Sequence, residues 1–93
     1  MENDLLIIEL REQLKSLDTK LLALVGERLK LGRKIGALKA KKRLSLQDKT
    51  QEMIVSERFI HWAKNNHESE EMSKELALLL MKWTLEVQKN QKP

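Results

Sequence analysis

Arg28 and Lys39 are the first residues in this sequence whose types and spacing imply chemistry. They stand eleven positions apart with no proline between them. On an α-helix that separation is about 20° of rotation and ~16 Å of rise, so both side chains leave one face and can close on a single small anion. Arg28 also interrupts a row of leucines between Leu24 and Leu31, where burying an unpaired guanidinium would cost several kcal/mol. It therefore either snorkels or pairs with a neighbouring carboxylate, or it binds an anion inside a helical assembly. Arg11 lies 17 residues earlier, about 25 Å along a straight helix and too far to grip the same metabolite from the same chain. If Arg11 and Arg28 serve one ligand, two chains share the site.

Two further pairs have helical spacing. Asp48 and Glu52 are four apart and can accept hydrogen bonds from a ligand hydroxyl, or cap a helix and favour its dipole. Thr84 and Gln88 are also four apart and continue a stripe begun by Ala77 and Met81. Gln88 supplies a carboxamide donor that stays neutral across the physiological range. No serine stands beside a histidine and no glycine-rich phosphate loop is present, so covalent catalysis has no candidate nucleophile. Cysteine is absent and the histidines are His61 and His67 alone, so no metal site is expected. Chemistry here would rest on orientation and on electrostatic stabilisation of a charged transition state.

The elements that must position these residues all read as helix. Leu10, Leu14, Leu17, Leu21, Leu24, Leu31, Ile35 and Leu38 alternate by three and four residues with one interruption at Arg28. One helix is predicted from about Asp4 to about Lys42, close to 60 Å long, which a single copy of so short a chain cannot cover. Gly26, Gly32 and Gly36 weaken this helix by about 1 kcal/mol each relative to alanine without ending it. Ser45 or Asp48 caps a second helix running to about Asn65, with Met53, Ser56, Ile60 and Ala63 on one side and Val55, Phe59 and Trp62 on an adjoining stripe. Ser69 opens a third, to about Asn90, whose apolar face is Met72, Leu76, Leu79, Leu80, Trp83 and Val87. The expected fold is all-α, one domain over residues 1–93, with one long helix and two shorter ones.

Composition limits the partners. The chain has 93 residues and a formal net charge of +4, and its basic excess falls in the first half: residues 1–47 carry 11 basic and 6 acidic side chains. From Arg28 to Arg43 there are eight basic residues and no acidic one. A solvated lysine-rich face, a nucleic-acid surface and a site for a small polycarboxylate all fit such a run. Against nucleic acid, Phe59, Trp62 and Trp83 are the only aromatic residues and sit on expected core faces, and no short recognition helix coincides with the basic run. A coiled-coil adaptor explains the heptads but not Arg28 in the seam. No stretch approaches the ~20 apolar residues of a membrane span, and Glu2 and Asp4 stand where a secretory leader would be basic. The expected compartment is the cytoplasm, with no membrane partner.

The stretch from Leu10 to Lys39, LREQLKSLDTKLLALVGERLKLGRKIGALK, resembles the first helix of the all-α chorismate mutases in Arg11, Leu17-Asp18, Leu21-Leu22-Ala23-Leu24, Glu27-Arg28 and Lys39. The resemblance implies an intertwined three-helix homodimer with two sites, each lined by both chains. It further implies the cofactor-free Claisen rearrangement of chorismate to prephenate, the branch step toward phenylalanine and tyrosine. By that resemblance, Arg11 of one subunit and Arg28 of the other bind the two carboxylates, and Lys39 and Gln88 donate to the ether oxygen. Asp48 and Glu52 hold the ring hydroxyl, Glu52 helps to position Lys39, and Thr84 takes a place often held by serine. Gln51 stands where several members carry an arginine, which implies weaker binding unless Arg43 or another basic residue substitutes. An isochorismate pyruvate-lyase of the same fold is the sister reading, and a basic helical dimer that binds nucleic acid is the reading from another class.

Overall fold

Asp4 begins the first helix by accepting the backbone N–H groups of Leu6 and Ile7 on its carboxylate, at 2.8 and 3.3 Å, two of the donors that a helix start leaves unpaired. The computed structural model describes residues 4–90; Glu2, used above in reading the N-terminus, lies outside them. Helix α1 spans Leu5–Lys41, α2 Lys49–Asn65 and α3 Glu70–Lys89, so the all-α, three-helix expectation holds with each boundary within one residue. Of the two proposed caps for α2, Asp48 is the one used: it accepts the Gln51 N–H at 3.0 Å, while the Ser45 hydroxyl donates to the Gln47 carbonyl. Ser69 caps α3 through the Met72 N–H.

Both interhelix turns leave the helix through a left-handed residue that is not glycine, Arg43 (φ 59°) after α1 and His67 (φ 54°) after α2. Such positions usually favour glycine. All three glycines of this chain are inside α1 instead, and packing explains two of them. Among the described residues α1 and α2 each lie against α3 and not against one another. The second half of α1 runs parallel to α3, with Gly32 facing Thr84 and Gly36 facing Gln88; α2 returns antiparallel to α3, tied by the Ser73 hydroxyl donating to the Phe59 carbonyl at 2.8 Å. Gly32 and Gly36 are buried because α3 approaches α1 there more closely than a Cβ would permit. At these two positions the propensity cost of glycine accompanies a packing role that the sequence reading did not include.

The packing also revises the expected core. Ala63 and Ala77 are fully buried, with Val55 and Leu29 nearly so. On α3 the stripe turned toward α1 is therefore that of Ala77, Thr84 and Gln88, not that of Met72, Leu76, Leu79 and Trp83, all of which are exposed. Close helix approach selects small and slender side chains, and the bulky stripe is left outside. Trp62 and Trp83, expected on core faces, are 56% and 42% exposed. The heptad row of α1 is likewise bare, with Leu10, Leu14, Leu17, Leu21 and Leu24 each more than half exposed.

The molecule measures 57 × 30 × 15 Å, a slab little thicker than one helix. The first five turns of α1 extend beyond the other helices as an arm on which no residue is buried.

Candidate functional site

Because α1 and α2 both lean on α3 without touching, a cleft of about 300 Å³ remains between them, within the size range of small-molecule sites. Helix α1 contributes Arg28, Leu31, Gly32, Ile35 and Lys39 to its wall. Leu46 and Asp48 come from the following turn, and Gln51, Glu52 and Val55 from the first turns of α2. Helix α3 forms the floor with Met81, Thr84, Leu85 and Gln88. Six of the seven residues singled out from the sequence thus meet in one place: Arg28, Lys39, Asp48, Glu52, Thr84 and Gln88.

Arg28 is half-buried and reaches α3, donating through Nη1 to Thr84 Oγ1 at 2.8 Å and to the Leu80 carbonyl at 3.4 Å. Both bonds are made by Nη1, leaving Nη2 and Nε for a ligand. Burial lowers the Arg28 pKa from its ordinary value, and the neighbouring Arg58 guanidinium lowers it further. The Thr84 hydroxyl gives its own proton to the Leu80 carbonyl at 2.8 Å, so here it serves to hold Arg28.

At the other end, Lys39 Nζ donates to the Leu46 carbonyl at 3.0 Å, which fixes the ammonium beside the turn and leaves two N–H donors. Gln88 Nε2 donates to the Gly32 carbonyl at 3.1 Å and keeps its second hydrogen. The Glu52 carboxylate accepts from Gln47 Nε2 at 3.4 Å, so its recorded partner is Gln47 rather than the Lys39 it was expected to position. Asp48 both caps α2 and lines the cleft, so the two readings offered for it coexist. Gln51 lines the cleft and brings no charge. Arg43, the suggested substitute, is exposed in the turn after α1 and is not part of the wall.

Arg11 is not in the cleft. It lies on the exposed arm, nearly five turns before Arg28. The apolar wall residues Leu46 and Leu85 escaped the sequence reading, as did the place of Gly32 in the wall. Gly32 carried a usable signal, since it stands midway between Arg28 and Gly36 at four-residue spacing, and small residues one turn apart mark close helix approach.

A slightly larger groove, about 380 Å³, runs between α2 and α3 and is lined by Arg58, Phe59, Trp62, Ser73 and Leu76. Its single cation offers little to a polyanion, and the Ser73 hydroxyl is already committed to the Phe59 carbonyl. The smaller cleft, with two cations, two carboxylates and two carboxamides around an apolar middle, has the chemistry to bind and orient a compact, oxygen-rich dianion.

A model of the family described as chorismate mutase type II matches residues 10–89, the span that holds all three helices' packing surfaces and the whole cleft. The chain belongs to the chorismate mutase type II family. No individual curated protein matches it. Membership brings chorismate mutase activity, an isomerisation in aromatic amino acid biosynthesis, and favours it over the isochorismate-lyase and nucleic-acid readings. Among the described residues of this chorismate mutase, no helix is long and apolar enough to cross a membrane and no cluster of His, Asp or Glu is arranged to hold a metal ion.

Proposed function

We propose that the cleft between α1 and α2 is where chorismate rearranges, and that a second copy of the chain completes it. One observation carries this reading: six of the residues expected at the site line a single cleft, while the seventh, Arg11, lies on a bare leucine-studded arm. In the reaction the ether C–O bond breaks as a new C–C bond forms within the same molecule, so no atom, proton or electron is supplied from outside. Negative charge grows on the ether oxygen, and Lys39 and Gln88, each with an N–H to spare, donate to it. Arg28 binds a carboxylate through Nη2 and Nε in the fork geometry that suits guanidinium. The dianion also relieves the repulsion between Arg28 and Arg58. Asp48 and Glu52 accept the ring hydroxyl, and Leu31, Ile35, Val55 and Leu85 exclude water from the carbon framework.

The leucine seam supports the shared site. Two of its leucine pairs are symmetric about a centre between residues 20 and 21, Leu10 with Leu31 and Leu17 with Leu24, while Leu14 and Leu21 fall opposite Glu27 and Lys20. An antiparallel pair of α1 helices related by a two-fold axis there buries both arms at once. It also brings Arg11 of one copy level with position 30 of the other, about 3 Å of rise from Arg28. The resulting intertwined homodimer has two equivalent sites, each with residues from both chains.

Incubation of the purified protein with chorismate, followed by the loss of its absorbance and identification of the product, tests the activity. Prephenate is the expected product. Pyruvate with no prephenate would assign the lyase instead, and no turnover at micromolar protein would remove both. The shared site has its own test. Arg11→Ala and Arg28→Ala proteins, each inactive alone, are expected to regain activity when mixed and allowed to exchange subunits, because a heterodimer holds one site with both arginines intact. Absence of recovery after demonstrated exchange would place both arginines in the same chain's site. Position 51 supplies a third test: Gln51→Arg adds a cation to the wall and is expected to lower KM several-fold, by about 1 kcal/mol for an exposed charge pair, with little change in kcat. An unchanged KM would place the substrate's carboxylates away from α2.

A further inference from the structure

Gly32 meets α3 at two points. A Cβ placed on it would stand 2.5 Å from Thr84 Cγ2, and its carbonyl oxygen accepts the Gln88 amide at 3.1 Å. The Thr84 methyl thus occupies the space that a side chain at position 32 would need. That methyl shares its carbon with the hydroxyl that receives Arg28 Nη1 and donates to Leu80, both at 2.8 Å. The methyl can clear a Cβ at position 32 only by rotation about the Cα–Cβ bond, which swings the hydroxyl off both partners, or by retreat of α3, which draws Gln88 away from α1. The bulk at position 32 and the stance of Arg28 are therefore mechanically linked through one side chain. Gly36 enforces the same approach one turn on, where a Cβ would stand 2.8 Å from Gln88 Cγ and 3.3 Å from its Cα. Gly26 differs from both, since a Cβ there meets nothing within 4 Å.

We propose that Gly32 is a positioning residue for the rearrangement and forms a size-matched pair with Thr84. The absent side chain admits the threonine methyl, the seated methyl locks the hydroxyl onto Arg28, and the Gly32 carbonyl holds the Gln88 amide. The catalytic part of this proposal rests on the cleft being the chorismate site; the packing part does not. Serine at position 84 would keep the hydroxyl and remove the methyl, which makes Thr84→Ser the specific remedy for bulk at position 32.

The test compares full-length Gly32→Ala, Thr84→Ser, Gly32→Ala/Thr84→Ser and Gly26→Ala proteins by thermal melting and by steady-state kinetics with chorismate. Gly32→Ala is expected to lower kcat by about tenfold or more, as displacement of positioned groups by under an ångström does, and the double variant is expected to regain most of that loss. Gly26→Ala, in the same helix, is expected to keep the unmodified kcat. A Gly32→Ala enzyme with full kcat, or a double variant no better than Gly32→Ala alone, would overturn the pairing. If Gly32→Ala proves poorly folded, its melting temperature takes over as the readout: recovery in the double variant supports the pair, and additive losses across the cycle overturn it. Failure of the unmodified protein to turn over chorismate would remove the cleft reading and the catalytic role with it, while the melting cycle would still decide the packing.

Discussion

Lys39→Ala is expected to reduce kcat for chorismate by about 10³-fold, at the upper end of what loss of one transition-state hydrogen-bond donor costs, because a full charge is lost with the donor. The loss falls in kcat more than in KM. The ether oxygen of the bound substrate carries little charge, and the ammonium meets its strongest partner only as the C–O bond stretches. Lys39 is half-buried in the last turn of α1 with Nζ on the Leu46 carbonyl at 3.0 Å, so the substitution removes one bond to the turn and leaves the buried residues Leu29, Val55, Ala63 and Ala77 in place. Alanine is also the better helix former. Far-UV circular dichroism and thermal melting are therefore expected to stay close to those of the unmodified protein, which separates a catalytic loss from an unfolded one. A folded Lys39→Ala enzyme within tenfold of full activity would place the developing charge elsewhere.

Gln88→Glu is expected to give an enzyme whose activity rises in acid, if Gln88 donates to the ether oxygen as proposed. The amide donates at every pH in the physiological range, whereas a carboxyl group donates only while protonated, and an ordinary glutamate loses its proton near pH 4.3. On the proposed placement, at neutral pH the variant would set a carboxylate beside an oxygen that is gaining negative charge, and kcat is expected to fall by about 10² to 10³-fold. As pH drops toward and through the pKa of the new carboxyl, donation returns and the rate rises, while the unmodified enzyme shows no such rise. The same change acts on the fold, because a carboxylate cannot donate to the Gly32 carbonyl that now holds the amide, and two acceptors are left facing each other. Rate profiles from pH 4 to 8 with circular dichroism at each point distinguish the two effects. A parallel profile for both enzymes would remove Gln88 from the ether oxygen.

Helix count and limits were legible because their causes are local. Asp4, Asp48 and Ser69 cap the three helices through their own side chains, and the spacing of leucines along α1 is a property of neighbouring residues. Arg28, Lys39, Asp48, Glu52, Thr84 and Gln88 were legible for a second reason: each is a polar residue at a helical interval from another, and the resemblance assigned them to one site. Less was legible on α3. Its strongest apolar stripe, with Leu76, Leu79 and Trp83, looked like the surface to bury, yet α1 took the slender stripe with Ala77, Thr84 and Gln88. Hydrophobicity ranks faces by the benefit of burying them somewhere, and says nothing about whether the neighbour is the same chain or another one.

The glycines show where the boundary falls. By propensity Gly32 and Gly36 are defects in a long helix, and only their one-turn spacing hints at another account. Once α3 lies parallel to α1, they become the two places where its side chains could not otherwise fit. The sequence by itself determined three capped helices, a seam of leucines too long for one copy to cover, and the cations that a dianion would need. Only the tertiary structure decided that α1 and α2 stand apart on α3 and leave a cleft, which stripe of α3 floors it, and that Arg28 is held from behind by Thr84. Those outcomes depend on how closely helix axes approach, and between α1 and α3 that distance is set by pairs of residues more than fifty positions apart, Gly32 with Thr84 and Gly36 with Gln88.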